Sequence, residues 1–209
     1  MAEAEFEKSV FINCPFDKDY EPILQAILFC VLYLGLHPRI ATESNDSGRA
    51  RLAKIVELIQ SSKFSIHDLS RVEATAAGEL FRLNMPFELG VDYGCREFCG
   101  DGRRTKIMLI LEGKPYQHHA AISDLSGCDA ASHSGDFQKA VRKVRNWLIS
   151  EAGLQPVGAA KIRGAYADFQ EWYYERQLAD GFDDEDIQDY PTSELLDAMT
   201  EWVAAGKPV

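Results

Sequence analysis

A glutamate stands inside the otherwise apolar stretch RLNMPFELGVDYG, at residues 82 to 94. Pro86 suits the first turn of a helix, where the positive end of the helix dipole favours an ionised acid such as Glu88. With Met85 as the cap, Glu88 would occupy the third helical position. A carboxylate at a ligand site can stabilise a developing positive charge or capture the reacting group covalently. The competing interpretation is that Glu88 is an ordinary charge partner of a helix start.

A second acid stands at the end of the run FSIHDL, at residues 64 to 69, which predicts a strand. Asp68 is open to two interpretations, a proton donor at a ligand site or a turn acid at a strand end. Alternation along a strand turns His67 to the opposite face from Asp68. We therefore expect His67 to be buried or at the surface, without a catalytic role.

Several arginines lie near predicted loop ends. A guanidinium group can bind two phosphate oxygens at once, so their clustering on an acidic chain predicts a positive patch for a phosphorylated ligand. Each of them taken separately is a common surface charge. The set comprises Arg39, Arg49, Arg51, Arg71 and Arg82.

Strand-like and helix-like segments alternate along the first two thirds of the chain. Apolar β-rich runs predict strands at 9–14, 37–42, 64–69 and 106–112. Helical spacing predicts helices at 17–35, 47–62, 86–99 and 136–150. This order indicates an α/β fold with a doubly wound parallel sheet of four to five strands.

Two further amphipathic helices, at 160–178 and 192–205, complete the chain. About 55 residues rarely form a stable core alone. The expected organisation is an α/β domain over 1–152 with a helical extension over 153–209 packed on it.

Ligands of open parallel sheets bind beyond the carboxyl ends of the strands. Three loops there carry unusual residues: NCPFDKDY after the first strand, HDLSR after the third, and RLNMPFELG at the fourth helix start. None is a GxGxxG or GxxxxGK[ST] phosphate loop, which argues against ordinary dinucleotide and P-loop sites.

Together, the NCPF turn, the HDLS strand end and the MPFELG helix start resemble the nucleoside 2-deoxyribosyltransferase-like branch of the superfamily that includes Toll/interleukin-1 receptor (TIR) domains. The resemblance covers roughly residues 8 to 112. It implies a flavodoxin-like sheet and cleavage or exchange of the N-glycosidic bond of a nucleoside, a nucleotide or NAD. It also implies a homo-oligomer and a role in bacterial antiphage defence.

The resemblance assigns Glu88 as the nucleophile that takes the sugar and Asp68 as the acid beside the base. It places the Asn13 to Asp17 turn against the base or sugar. The residues before Glu88 differ from those usual in the transferases, so the substrate stays open between NAD, a nucleoside and a signalling nucleotide. The expected ligand-binding set is Asn13, Pro15, Phe16, Asp17, Arg39, Ser70, Arg71, Arg82, Asn84 and Met85.

Two functions from different classes fit these expectations. The first is an N-glycosidase, with NAD favoured because its nicotinamide leaves as a neutral group and needs no acid. The second is a non-catalytic nucleotide sensor or adaptor that signals through the helical extension. No cofactor is expected beyond the nucleotide that serves as substrate or ligand.

Charge and hydropathy narrow the classes of partner. The formal net charge is −11, and residues 181 to 209 hold eight acids and one lysine, so that −7 lies there and −4 elsewhere. This balance disfavours binding of duplex nucleic acid, while the acidic tail is either a solvated surface or a docking face for a basic protein. The longest apolar run has about 14 residues, short of the roughly 18 that a membrane helix needs. With no recognisable signal peptide, a cytoplasmic protein is expected.

The cysteines and the paired histidines offer weak metal signals. Five cysteines without an export signal indicate reduced thiols. Cys95 and Cys99 would share a helix face, but without further ligands at metal spacing they are expected to be buried and inert. His118 and His119 are expected to be solvated loop residues. No metal site is assigned.

Overall fold

A five-stranded parallel sheet forms the centre of the protein in a computed structural model, which describes residues 2–43, 48–72, 82–100 and 102–206. The strand order is β2-β1-β3-β4-β5, and every neighbouring pair is parallel. The strands are β1 (Ser9–Asn13), β2 (His37–Ile40), β3 (Phe64–Asp68), β4 (Ile107–Glu112) and β5 (Ala130–Ser132).

Helices cover both faces of the sheet. α2 and α6 pack together on one face, whereas α3 and α4 pack together on the other. The α-helices are α1 (Ala2–Phe6), α2 (Glu21–Tyr33), α3 (Arg51–Gln60), α4 (Asn84–Phe98), α5 (Gln117–Ala121), α6 (Phe137–Glu151), α7 (Ala159–Ala179), α8 (Asp184–Gln188) and α9 (Thr192–Ala204). The predicted fold class, a flavodoxin-like doubly wound sheet with C-terminal helices, is confirmed.

The position of each strand in the sheet, central or at an edge, explains how apolar its sequence is. β1 and β3 are buried at every residue because each has a strand on both sides and helices on both faces. β5 lies at an edge and is only half-buried, and its sequence Ala-Ala-Ser lacks the β-branched residues that mark a strand. The sequence therefore did not predict β5 as a distinct strand.

α2 is apolar all round because it lies between the sheet and the C-terminal helices. The ring of Phe29 in α2 lies 5.2 Å from that of Tyr166 and 5.6 Å from that of Phe169, both in α7. The Trp202 ring of α9 is 5.7 Å from the Phe29 ring. α7 and α9 thus share one apolar core with the sheet domain. The domain boundary near residue 152 stays a prediction.

α4 begins two residues earlier than predicted, at Asn84, so Glu88 is its fifth residue and not its third. Pro86 is then the third, where its missing N–H costs nothing because the first N–H groups of a helix have no intrahelical partner. The helix dipole acts mainly on the first turn, so its effect on Glu88 is weaker than expected.

The segment between β4 and β5 also differs from expectation. His118 is not a solvated loop residue: it lies in α5, is buried, and its Nδ1 is 2.8 Å from the Glu112 carboxylate. In the part of the chain that the structure describes, every helix is too short or too polar to span a membrane.

Candidate functional site

A cleft of about 440 Å³ opens between the end of β1 and the start of α4. It lies at the point where the strand order reverses direction between β1 and β3, the usual place for a ligand in such sheets. Its lining residues are Asn13, Cys14, Pro15, Phe16, Arg51, Arg82, Leu83, Asn84, Met85 and Glu88.

Glu88 lines this cleft with only 6% of its surface exposed. Among the described residues, its carboxylate has neither a hydrogen-bond donor nor an ion-pair partner within reach. Burial raises the pKa of Glu88, and the nearby charge of Arg51 partly offsets that rise. An unpaired, desolvated carboxylate is costly in a folded protein and is a common feature of functional sites.

The ring of Phe16 and the guanidinium groups of Arg51 and Arg82 surround the mouth of the cleft. The Phe16 ring is 42% exposed, and the Arg51 guanidinium lies 5.7 Å from its centre. Arg82 donates to Asp17 over 3.0 Å, and Arg71 binds the same carboxylate with two nitrogens, at 3.2 and 2.9 Å. These hydrogen bonds, those of Arg71 above all, lower the pKa of Asp17. Asp17 therefore holds both arginines beside the β1 turn.

A buried polar chain runs from the floor of the cleft into the protein. Asn13 Nδ2 donates to the carbonyl oxygen of Met85 over 2.9 Å and lies 3.0 Å from Nδ1 of His67. His67 Nε2 is 2.9 Å from the Asp92 carboxylate, and Asp92 forms a 3.1 Å ion pair with Lys106. This chain ties α4, which carries Glu88, to β1 and β3.

The far end of this chain is fully enclosed. The Lys106 ammonium is buried and donates to the carbonyl oxygens of Ile59 and Ser62. Burial alone would raise the pKa of Asp92, but the hydrogen bond from His67 and the charge of Lys106 hold it below its usual range. Asp92 is thus ionised inside the protein.

Asp68 belongs to a different buried network. Its carboxylate accepts from Tyr20 Oη (2.7 Å), His133 Nε2 (2.9 Å) and the Ser70 N–H (2.9 Å). Burial alone would raise the pKa of Asp68, yet these donors, His133 first, hold it below its usual range. These three donors favour the ionised form of Asp68, and its proton-donor role stays a prediction.

The Asp68 network also lacks the arrangement of a Ser-His-Asp triad. His133 Nδ1 accepts from the Gly135 N–H over 3.0 Å, so the N–H of His133 is at Nε2, which donates a hydrogen bond to Asp68. Ser70 Oγ is 3.0 Å from the same Nε2, which therefore cannot act as its base. The network joins β3 to the start of α2 and to the end of β5.

Cys14 lies between the two networks but is not a nucleophile. Burial, and then the charges of Asp68, Glu88 and Asp17, raise the pKa of its thiol well above the ordinary value. The reactive thiolate is therefore not formed near neutral pH.

Most of the predicted ligand-binding residues lie around the cleft. Asp17 and Arg71 lie beside the cleft, because Asp17 contacts both Arg71 and the lining residue Arg82. Asp68 and Ser70 belong to the network on the other face of the sheet. The structure does not bring Arg39 there, because Glu43, four residues on, holds it in a 2.8 Å ion pair at the β2 edge. The predicted residues that line the cleft itself are Asn13, Pro15, Phe16, Arg82, Asn84, Met85 and Glu88.

The expected cluster of five arginines is likewise divided. Arg49 pairs with Glu57 and lines, together with Arg39, a separate groove of about 430 Å³ beside α3. Only Arg51 and Arg82 line the cleft. The positive patch is thus smaller than predicted.

Sequence reasoning missed the buried partners of both networks. Tyr20, Asp92, Lys106 and His133 stand far from their partners in sequence, and each occurs in an ordinary helix, turn or strand pattern. One signal was available, because Asp92 and Lys106 are charges beside buried apolar positions of α4 and β4.

The cysteine and histidine pairs do not form a larger ligand set. Cys95 is buried as expected, whereas Cys99 is exposed. Within the ranges that the structure describes, no group of three or more His, Cys, Asp or Glu side chains is placed to hold a metal ion.

Comparison of the chain with protein-family models, with curated proteins and with solved structures found no match.

Proposed function

We propose that the protein binds a nucleotide in the cleft at the end of β1 and cleaves or transfers at its N-glycosidic bond. Glu88 faces the sugar and stabilises or captures the positive charge that develops at C1′ as the bond to the base breaks. The resemblance of the three loops to deoxyribosyltransferase-like and TIR-like enzymes motivates this chemistry.

One observation carries the proposal: Glu88 is nearly buried, lines an open cleft, and among the described residues has no hydrogen-bond donor or ion-pair partner in contact with its carboxylate. A glutamate that only served as a helix-start partner would lie in the first turn and be solvated. The position of Glu88 in the second turn, against a cleft, leaves a ligand as the natural partner for its carboxylate.

The surroundings of Glu88 favour a ligand with a flat base and a phosphate. Phe16 offers an exposed ring on which a base can stack, and Arg51 and Arg82 offer guanidinium groups for phosphate oxygens. Among the described lining residues, Glu88 is the only carboxyl group, and Asp68 lies in a separate network. A base that leaves without receiving a proton, such as the nicotinamide of NAD, therefore fits best.

The test is incubation with NAD and with a panel of nucleosides, followed by chromatography of the products. Wild type, Glu88→Gln and Glu97→Gln are compared, because Glu97 is an exposed glutamate on the same helix, paired with Arg96. We expect product with wild type and Glu97→Gln and a loss of at least about a hundredfold with Glu88→Gln. Turnover that persists unchanged in Glu88→Gln would contradict the assignment.

A second candidate, nucleotide sensing without turnover, is favoured by one contact region. Phe16 lines the cleft and also a neighbouring groove of about 300 Å³ whose other wall includes Gln188, Asp189 and Tyr190. A ligand that reorients Phe16 would therefore act directly on the C-terminal helices. Binding of NAD without any product would support this candidate.

The resemblance extends the proposal to assembly and biology. Some TIR-like relatives act only when assembled, so a homo-oligomer is proposed as the active form, with antiphage defence as its setting. The acidic segment 181–209 is proposed as the face that meets a protein partner. Light scattering before and after addition of NAD tests the assembly.

A further inference from the structure

We propose that the side-chain oxygen of Asn13 is a fixed hydrogen-bond acceptor that selects ligands carrying a ribose hydroxyl. The inference rests on the proposed function only in placing a nucleotide in this cleft. The proposal specifies which sugar the cleft binds and makes no statement about cleavage.

The Met85 carbonyl fixes the orientation of the Asn13 amide. Asn13 Nδ2 lies 2.9 Å from that oxygen, which can only accept. The reversed amide would set two oxygens against each other inside the protein. The nitrogen of the amide must therefore face Met85, and the same nitrogen lies 3.0 Å from His67 Nδ1.

The contact between His67 and Asp92 is consistent with this orientation. Asp92 is ionised and paired with Lys106, so its carboxylate can only accept, and His67 Nε2 must carry the proton directed at it. The Asn13 nitrogen that the Met85 carbonyl orients lies 3.0 Å from His67 Nδ1, so its second N–H is directed at Nδ1, which accepts it.

Both N–H groups of Asn13 are therefore used inside the protein, which leaves its Oδ1 for the cleft that Asn13 lines. Among the described residues, no donor reaches this oxygen. The Asn13 amide cannot rotate to offer a donor without breaking both inner hydrogen bonds. A bound ligand must then supply a hydrogen-bond donor at this position.

The floor and the mouth of the cleft together describe the ligand. The floor carries two acceptors, Asn13 Oδ1 and the Glu88 carboxylate, whereas the mouth carries the cations Arg51 and Arg82. A ligand with adjacent hydroxyls at one end and a phosphate at the other satisfies both regions. Ribose 5′-phosphates have this form, and a 2′-deoxy sugar leaves one floor acceptor unpaired.

An exocyclic amino group of the base is the other possible donor, and a set of four probes separates the two. Adenosine 5′-monophosphate, its 2′-deoxy and 3′-deoxy forms and inosine 5′-monophosphate are titrated by calorimetry. Inosine 5′-monophosphate keeps the sugar and lacks the amino group. We expect one of the deoxy forms to bind about tenfold more weakly, which equals about one hydrogen-bond contribution, and the inosine form to bind as well as the adenosine form.

Asn13→Ala removes the acceptor, and Asn146→Ala, at an exposed position of α6 outside the cleft lining, is the matched control. We expect Asn13→Ala to bind the ribo and deoxy probes equally and Asn146→Ala to keep the difference. If Asn13→Ala does not fold, the long-range ¹H–¹⁵N spectrum of wild-type histidines decides instead, with the His67 signal identified by His67→Gln. It should show His67 protonated at Nε2 alone.

Equal binding of all four probes to wild type, or binding of none, would overturn the inference, as would a His67 protonated at Nδ1. Weaker binding of inosine 5′-monophosphate alone would show that the donor to Asn13 is the amino group of the base and not a sugar hydroxyl. Failure of the proposed function is distinguishable, because selective binding without cleavage leaves this inference intact. Cleavage without selective binding would overturn this inference and leave the proposed function intact.

Discussion

His67 and Asp68 are adjacent in β3, yet their side chains belong to separate buried networks on opposite faces of the sheet. His67 Nε2 lies 2.9 Å from Asp92 in α4, and Asp68 Oδ2 lies 2.9 Å from His133 Nε2, which follows β5. The network of His67 supports the floor of the cleft, whereas that of Asp68 joins β3 to α2 and the β5 end. The alternation of side chains along β3 thus places these two neighbours in separate networks, one beside the cleft and one at the end of β5.

Glu88→Gln is expected to stabilise the protein at neutral pH. Because burial raises the folded pKa of Glu88, its ionisation weakens the folded state as pH rises above the unfolded pKa of about 4.3. Glutamine removes that penalty. Urea unfolding at pH 7 should show a gain of about 0.5 to 1 kcal/mol, and the difference from wild type should vanish below about pH 4.

The control is Glu97→Gln, which lies on the same helix and is exposed. It should change the free energy of unfolding by less than about 0.5 kcal/mol at either pH. A Glu88→Gln variant that is less stable than wild type at pH 7 would show that the carboxylate has a favourable partner.

Asp68→Asn is expected to destabilise the protein at neutral pH. The folded pKa of Asp68 is lowered, so its carboxylate stabilises the fold fully above the unfolded pKa of about 3.9, and this contribution is lost as pH falls toward the folded pKa. At pH 7 the variant should lose about 3 kcal/mol, because Tyr20, Ser70 and His133 lose a charged acceptor. The loss should shrink in unfolding measurements below about pH 4. A constant loss across this range would refute the lowered pKa.

Lys106 and Asp92 are expected to be energetically coupled. Lys106→Met leaves the Asp92 charge buried without its cation and should cost about 3 kcal/mol. When Asp92→Asn is added, the combined loss should be smaller than the sum of the single losses by at least about 1 kcal/mol. A double-mutant cycle in urea measures this coupling free energy. Single losses that add within about 0.5 kcal/mol would contradict a direct ion pair between Lys106 and Asp92.

Trp202→Ala tests whether the C-terminal helices share the core of the sheet domain. Trp202 is 1% exposed and its ring lies 5.7 Å from that of Phe29 in α2. We expect a loss of about 3 to 5 kcal/mol and one unfolding transition, seen alike by circular dichroism and tryptophan fluorescence. Leu178→Ala, at an exposed position of α7, should change stability by less than about 0.5 kcal/mol. Two separate transitions would show that the C-terminal helices unfold on their own.

The central architecture could be predicted because its signals are local. Apolar runs mark β1, β3 and β4, and the all-round apolar sequence of α2 marks a helix covered on every side. β5 has no such signal: three small residues become a strand because β4 offers them a partner edge. Tertiary context there outweighs intrinsic preference.

The cleft was predictable in part for the same reason. Residues of the β1 turn and of the α4 start are adjacent to strand ends, so topology alone brings Asn13, Phe16 and Glu88 to one edge. The partner of Asp68 was not predictable, since His133 lies 65 residues away in a segment of weak pattern. Arg39 was misplaced because Glu43, a partner close in sequence, holds it at the β2 edge.

The methyl group of Met85 provides the most direct test of whether this cleft is the ligand site. Of the methionines in the described ranges, Met85 lines the cleft, Met108 packs against the apolar cluster that includes Met85, and Met199 lies in the main core. With ¹³C-methyl methionine in the protein and Met85→Leu for assignment, adenosine 5′-monophosphate and NAD are titrated in turn. We predict that the Met85 signal shifts with saturation while that of Met199 stays in place. A Met85 signal that stays in place while that of Met199 shifts, or no shift with either ligand, would contradict the assignment of this cleft as the ligand site.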